Sequence, residues 1–124
     1  MSQKNVESCR RGYEHRNRTG EFLWELIDPE VELHDSPDSP DTQVYRGHEG
    51  VRTALANVEE SFEELHFEAE DSRDAGDDVV VFIHMRGRGK GSGIEIEAQI
   101  AHVWTIREGK GVRIRVLDRE TARA

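Results

Sequence analysis

The chain has 124 residues, the length of one domain and enough to enclose a hydrophobic core. Its 26 acidic and 17 basic residues leave a formal net charge of -9, which repels phosphate backbones and argues against nucleic acid as a partner. Cys9 is the single cysteine, so no intrachain disulfide can form, and without a membrane-length apolar run or a hydrophobic leading segment the expectation is a cytoplasmic protein with no membrane partner.

Residues 5–17 read as a helix with Val6, Cys9 and Tyr13 on one face. Cys9 at that spacing is expected to be a small buried hydrophobe. Thr19-Gly20 breaks the helix, and a second short helix is predicted to turn Phe22, Leu23, Leu26 and Ile27 inward until Asp28-Pro29 ends it. Residues 30–34 form a short strand and 35–46 a loop with prolines at 37 and 40. A third helix is predicted from Val51, Leu55, Val58, Phe62 and Leu65, which recur at four, three, four and three residues.

From residue 66 the period changes to two. Residues 66–73 alternate weakly, Ala75–Asp78 is a turn, and Val79–Arg86 is a central strand. The glycine-rich run RGRGKGSG (86–93) reads as a hairpin connection, because it lacks the spacing of a phosphate loop and opens no helix. Ile94–Ile106 is a long strand, and Val112–Asp118 returns antiparallel to it before a polar tail. Helices followed by a run of strands indicate an α+β fold: three N-terminal helices on one face of a curved, mainly antiparallel sheet enclosing a pocket. The whole of 1–124 is one domain, with its core over about 6–118.

The long strand carries the most chemistry. Ile94, Ile96, Ala98, Ile100, His102, Trp104 and Ile106 share its core parity. His102 is the ionisable member of that face, either a core histidine satisfied by a neighbour or a pocket-facing group beside Trp104. On the return strand, Val112, Ile114, Val116 and Asp118 share the core parity and Arg113 and Arg115 the other. Asp118 is then a diagonal neighbour that would orient His102 and favour its charged form, unless the strand stops short and leaves the carboxylate in solvent.

His34 and Asp35 are adjacent, so one faces in and the other out. Asp35 before Ser36-Pro37 is either a turn cap or a carboxylate at a pocket mouth that serves as general base. Tyr13, Trp24, Tyr45 and Phe62 are packing or pocket-wall candidates. His15, His48 and His66 lack mutual ligand spacing, so no metal site is expected.

These pieces resemble a known family. Tyr13 on the first helix, Thr19-Gly20-Glu21, Pro29–Leu33, Tyr45–Val51 and Ala101–Lys110 together resemble SnoaL-like proteins of the nuclear-transport-factor-2-like superfamily, over about Val6 to Asp118. The resemblance implies a cone-shaped, cystatin-like α+β barrel with a deep pocket and a homodimer formed through the sheet. It also implies a small apolar ligand. Set against the ketosteroid isomerase pattern, the base aspartate falls at Asp35 and the oxyanion tyrosine at Tyr13. The neutral oxyanion carboxyl of that enzyme falls at His102, which is a departure. The polyketide cyclase pattern likewise places an aspartate in the pocket as acid/base. The epoxide hydrolase pattern needs an inward arginine that these spacings do not place. The expectation is an isomerase- or cyclase-type enzyme without a cofactor, with Asp35, His102, Tyr13 and Asp118 catalytic and Trp24, His34, Tyr45, Phe62 and Trp104 lining the pocket. The alternative is a non-catalytic ligand-binding or dimerisation module.

Overall fold

The computed structural model describes residues 2–35 and 44–118. The predicted turn at Ser36-Pro37, most of the 35–46 loop and the tail after Asp118 lie outside the described residues.

Helix α1 (Ser2–Thr19) is followed by a single 3-10 turn, Trp24–Leu26, and then by β1 (Ile27–His34), β2 (Val44–Arg46), α2 (Gly47–Glu59), β3 (Phe62–Ala75), β4 (Asp78–Gly89), β5 (Glu95–Arg107) and β6 (Lys110–Asp118). The six strands form one sheet in the order β2-β1-β6-β5-β4-β3. All neighbours are antiparallel except β1 and β6, which run parallel. Among the described residues no helix is long and apolar enough to cross a membrane.

The architecture is α+β, with two helices rather than three on the sheet. The predicted second helix is only the 3-10 turn, because Ile27 is buried as the first residue of β1 and draws Asp28-Pro29 into the strand. Pro29 is tolerated there because it falls in the stretch between Ile27 and Glu32 where the pairing with β6 is irregular, and β2 pairs only with Glu32–His34. The stripe from Val51 also ends early. Helix α2 stops at Glu59, and Phe62 and Leu65 belong to β3. Glu64, with φ 56°, and a register shift between Glu63 and His66 bend the start of β3, which keeps Leu65 packed against the core.

β2 enters α2 through Gly47. Its φ is 73° and an added Cβ would lie 3.2 Å from the Pro29 carbonyl oxygen, so glycine is required at this corner. Val6, Cys9 and Tyr13 of α1 and Val51 and Leu55 of α2 pack against Val79, Val81 and Ile83 of β4, Trp104 and Ile106 of β5 and Ile114 of β6. Cys9 is buried as expected, and that burial pushes its thiol up to about 12. Asn17 joins α1 to β3 by two bonds: its Nδ2 donates to the Phe67 carbonyl at 2.7 Å, and the Phe67 N–H donates to its Oδ1 at 3.0 Å.

The core parity of β5 holds from Ala98 onward but not before. Ile94 and Ile96 are 64% and 38% exposed, because β4 and β5 run past the helices and the inner face there has no cover. Beyond Arg86, residues 87–89 extend β4 rather than joining the hairpin turn. Arg113 and Arg115 face outward, as the parity of Ile114 and Val116 requires; Arg115 Nη2 lies 3.6 Å from Asp78 Oδ2.

Candidate active site

Between α2 and the inner face of the sheet lies a cavity of about 440 Å³. Its walls are apolar: Leu33 from β1, Val51, Leu55 and Val58 from α2, Met85 from β4, Ile100 from β5 and Ile114 from β6 among them. Among the described residues, the polar side chains that interrupt the wall are Asp35, Tyr45, Asn57, Ser61 and His102. A large apolar cavity with a few convergent polar groups is the usual form of a small-molecule site.

Two levels can be distinguished. At the rim, Asn57 and Ser61 are exposed, and Asn57 Nδ2 donates to Tyr45 Oη at 3.4 Å. Tyr45 pairs directly with Leu33 across β1 and β2, so both reach the cavity from neighbouring strands. Asp35 follows two residues after Leu33 and shares its side of the chain. His34 takes the opposite side, where its Nε2 lies 3.0 Å from Glu32 Oε1, and Glu32 is also paired with Arg46. Of the adjacent pair, Asp35 is therefore the cavity residue and His34 is not.

The floor is built by β5 and α1. Trp104 Nε1 donates to Tyr13 Oη at 2.8 Å, and Tyr13 Oη lies 2.5 Å from His102 Nδ1. The Tyr13 and His102 rings stack at 5.8 Å between centroids, while Trp104 meets Tyr13 edge-on at 6.2 Å. Burial alone lowers His102 to about 4, so the imidazole is neutral at ordinary pH. Burial also raises Tyr13 well above the ordinary tyrosine value, so its phenol keeps its proton.

Several expected roles change. Tyr13 does not line the main cavity; it stands behind His102 with its hydroxyl engaged on both sides. Asp118 is exposed and pairs with Ile100, while His102 pairs with Val116, which makes Asp118 the predicted diagonal neighbour. The hydrogen-bond partner of His102 is nevertheless Tyr13, and its charged form is disfavoured rather than favoured. Trp24 lies outside the cavity, with Arg52 4.4 Å over its ring, His48 at 4.9 Å and Glu21 accepting from its Nε1 at 2.9 Å. Tyr45, Phe62 and Trp104 do line the cavity.

Two features escaped the sequence. Arg16 is only 3% exposed; its guanidinium sits 5.2 Å over the Phe67 ring and 3.4 Å from Glu59 Oε2. Its signal was present, because 6, 9, 13 and 16 continue one helical stripe. Asn57 continues the spacing of Ala54 along the shoulder of α2 in the same way, and Ser61 follows just past the helix end. On the outer face of the sheet, Glu68, Glu70 and His84 bring donor atoms within 4.8 Å of one another. His84 there lies 3.2 Å from Glu97 and 3.9 Å from Glu68, the geometry of ordinary ion pairs.

A model of the SnoaL-like domain matches residues 11–114. No functionally curated protein matches the chain. Among solved structures, TerC, co-crystallised with polyporic acid, superposes with a TM-score of 0.78 at 25% identity, covering 96% of this chain and 94% of its own. A protein of Jannaschia sp. CCS1, named for SnoaL-like polyketide cyclases, has a TM-score of 0.79 at 21% identity over 98% of this chain and 89% of its own. An NTF2-like protein of unknown function from Burkholderia pseudomallei K96243 gives 0.78 at 21% identity over 97% and 94%. The fold is thus the nuclear-transport-factor-2-like one.

Proposed function

The chain belongs to the SnoaL-like domain family, and from that premise we propose that it binds a small apolar carbonyl compound and moves a proton on it without a cofactor. The observation that carries this reading is an apolar cavity onto which, among the described residues, one carboxylate, Asp35, and one imidazole, His102, both open. Fold alone fixes no activity. The co-crystal of TerC with polyporic acid supports the idea that a related cavity takes up a small organic molecule.

In the proposed reaction Asp35 takes the proton from a carbon next to the carbonyl. The C–H electron pair moves into the enolate, and the developing oxyanion accepts a hydrogen bond from His102. A neutral imidazole suits that task, since it donates without first having to gain a proton. Asp35 then returns the proton at another carbon, completing an isomerisation, or the enolate carbon attacks a second carbonyl and closes a ring, the C=O π pair moving onto its oxygen, which takes the proton from Asp35.

The test is a thermal-shift screen against steroid enones, aromatic polyketide-like ketones and small epoxides. A ligand at about a hundred times its dissociation constant adds roughly 2.7 kcal/mol of stability. Asp35→Asn is expected to keep that shift and lose turnover. Full turnover in Asp35→Asn removes Asp35 as the base, and a parent that binds ligand without any turnover favours a binding module, the second reading, which the largely apolar wall also suits. A homodimer formed through the sheet is part of the same proposal, and a monomer mass by sedimentation velocity would remove it.

A further inference from the structure

The three side chains at the cavity floor form one chain of hydrogen bonds, and counting protons gives its direction. An indole N–H can only donate, so Trp104 gives its proton to the Tyr13 oxygen at 2.8 Å. Two arrangements then fit the 2.5 Å between Tyr13 Oη and His102 Nδ1. Either Tyr13 donates to a bare Nδ1, or Nδ1–H donates to a tyrosine oxygen that already receives the indole proton. The second leaves the tyrosine's own proton without an acceptor. Tyr13 is 3% exposed, and the polar side chains lining the small space behind it are Ser8 and Cys9, besides Trp104, which already donates to it. Neither the Ser8 hydroxyl nor the Cys9 thiol is bonded to Tyr13 Oη, whose partners among the described residues are His102 and Trp104. A buried donor left without a partner costs more than a made hydrogen bond contributes, so the first arrangement is the stable one.

The direction has a consequence at the other edge of the ring. A neutral imidazole that accepts at Nδ1 carries its proton on Nε2. His102 lines the cavity while its Nδ1 edge is held by Tyr13, so the proton lies on the edge turned away from Tyr13. Among the described residues lining the cavity there is no lysine or arginine. An anionic group on a ligand would meet the Asp35 carboxylate on the same wall, a like charge that disfavours it.

We infer that Trp104 and Tyr13 act in series as positioning residues that hold His102 as its Nε2–H tautomer, so that the cavity floor is a fixed hydrogen-bond donor selecting ligands with an uncharged acceptor, such as a ketone oxygen. The tautomer half stands on the hydrogen bonds alone. The ligand half rests on the cavity being a binding site.

Long-range 1H–15N spectra of the labelled protein near neutral pH test the tautomer. The His102 signals are assigned by their loss in His102→Phe. The expected pattern is a protonated, pyrrole-type Nε2 and a bare, pyridine-type Nδ1. In Tyr13→Phe the Nδ1 signal is expected to move towards the average of a tautomer mixture. An Nδ1–H form in the parent protein overturns the inference, and the parent spectrum decides this even if Tyr13→Phe fails to fold. A folded Tyr13→Phe with an unchanged His102 pattern also overturns it. For the ligand half, benzophenone is compared with diphenylmethane, which has the same skeleton without the acceptor. The ketone is expected to bind about tenfold more tightly, as one added hydrogen bond allows, and to lose that advantage in His102→Phe. Equal binding of the two to the parent overturns the selectivity. Binding of neither removes the cavity as a site for such compounds, and with it the reading on which the selectivity rests, while the tautomer result stands by itself.

Discussion

The two faces of the sheet both bury apolar side chains, but by different means. On the inner face, Val79, Val81 and Ile83 are covered by helices and join one continuous cluster with Trp104 and Ile114. On the outer face Phe82, Ala101 and Val103 are buried as well, yet they stand outside that cluster. Polar neighbours on the sheet contribute to their cover: the Arg73 guanidinium lies 5.2 Å over the Phe82 ring, and Arg115 is placed directly opposite Val103. Long charged side chains can cover apolar surface with their stems while keeping their heads in water. The inner face is thus a packed interior that opens into a cavity, and the outer face is a charged surface with apolar residues tucked beneath it. Burial alone does not tell the two apart; what lies on top does.

Replacing one residue from each face tests this most directly. Ile83→Ala should cost about 2–5 kcal/mol, because helix and strand neighbours can close only part of the void. Phe82→Ala should cost less despite its greater volume, since Arg73 can fold down over the gap. Urea unfolding midpoints give both values, and a larger loss for Phe82→Ala breaks the distinction.

Acid should act on the inner face next. His102 titrates at about 4 in the folded protein against an ordinary 6.5. The unfolded chain therefore binds a proton there before the folded one does. The stability this histidine allows is whole above about pH 6.5 and falls as pH drops towards 4, by about 3 kcal/mol. Urea midpoints at neutral pH and at about pH 4.5 should diverge more in the parent than in His102→Phe; equal divergence would assign the loss to the carboxylates instead.

A smaller effect is expected at Gly111, where an added Cβ would lie 2.8 Å from Trp104 Cε3. Gly111→Ala must push the indole aside and should cost about 1–3 kcal/mol, with a change in tryptophan fluorescence as the second readout. The smallest change belongs to the uncovered end of β5. Ile96→Ser should stay within about 0.5 kcal/mol. A larger loss measured on the monomer would mean that this end is covered after all.

Periodicity located most of the elements, and its failures have identifiable causes. The stripe through Phe62 and Leu65 looked helical because a bent strand can present those same two residues inward. The chain has neither glycine nor proline there to mark the change, and Glu64 makes the turn with a positive φ instead. β2 is three residues long, too short to show an alternation. In the candidate site, His102, Trp104 and Tyr13 could each be picked out from its own element. Their mutual bonds could not, because they join residues 89 and 91 positions apart. The inward side of the His34-Asp35 pair was open for a similar reason. It is set by the parallel pairing of β1 with β6, which no local pattern encodes.

That parallel pairing also bears on how the molecule assembles. β3, β4, β5 and β6 can zip as successive hairpins, each closing a short loop. β1 must wait for β6, since Leu33 pairs with Ile114. Closing so long a loop is entropically slow, and such non-local pairing is expected to come late in folding. During synthesis the first helix would leave the ribosome long before the strand that completes the floor beneath it. The chamber is consequently a product of the final closure, and a chain cut before β6 would keep its hairpins while having no interior for a ligand to enter.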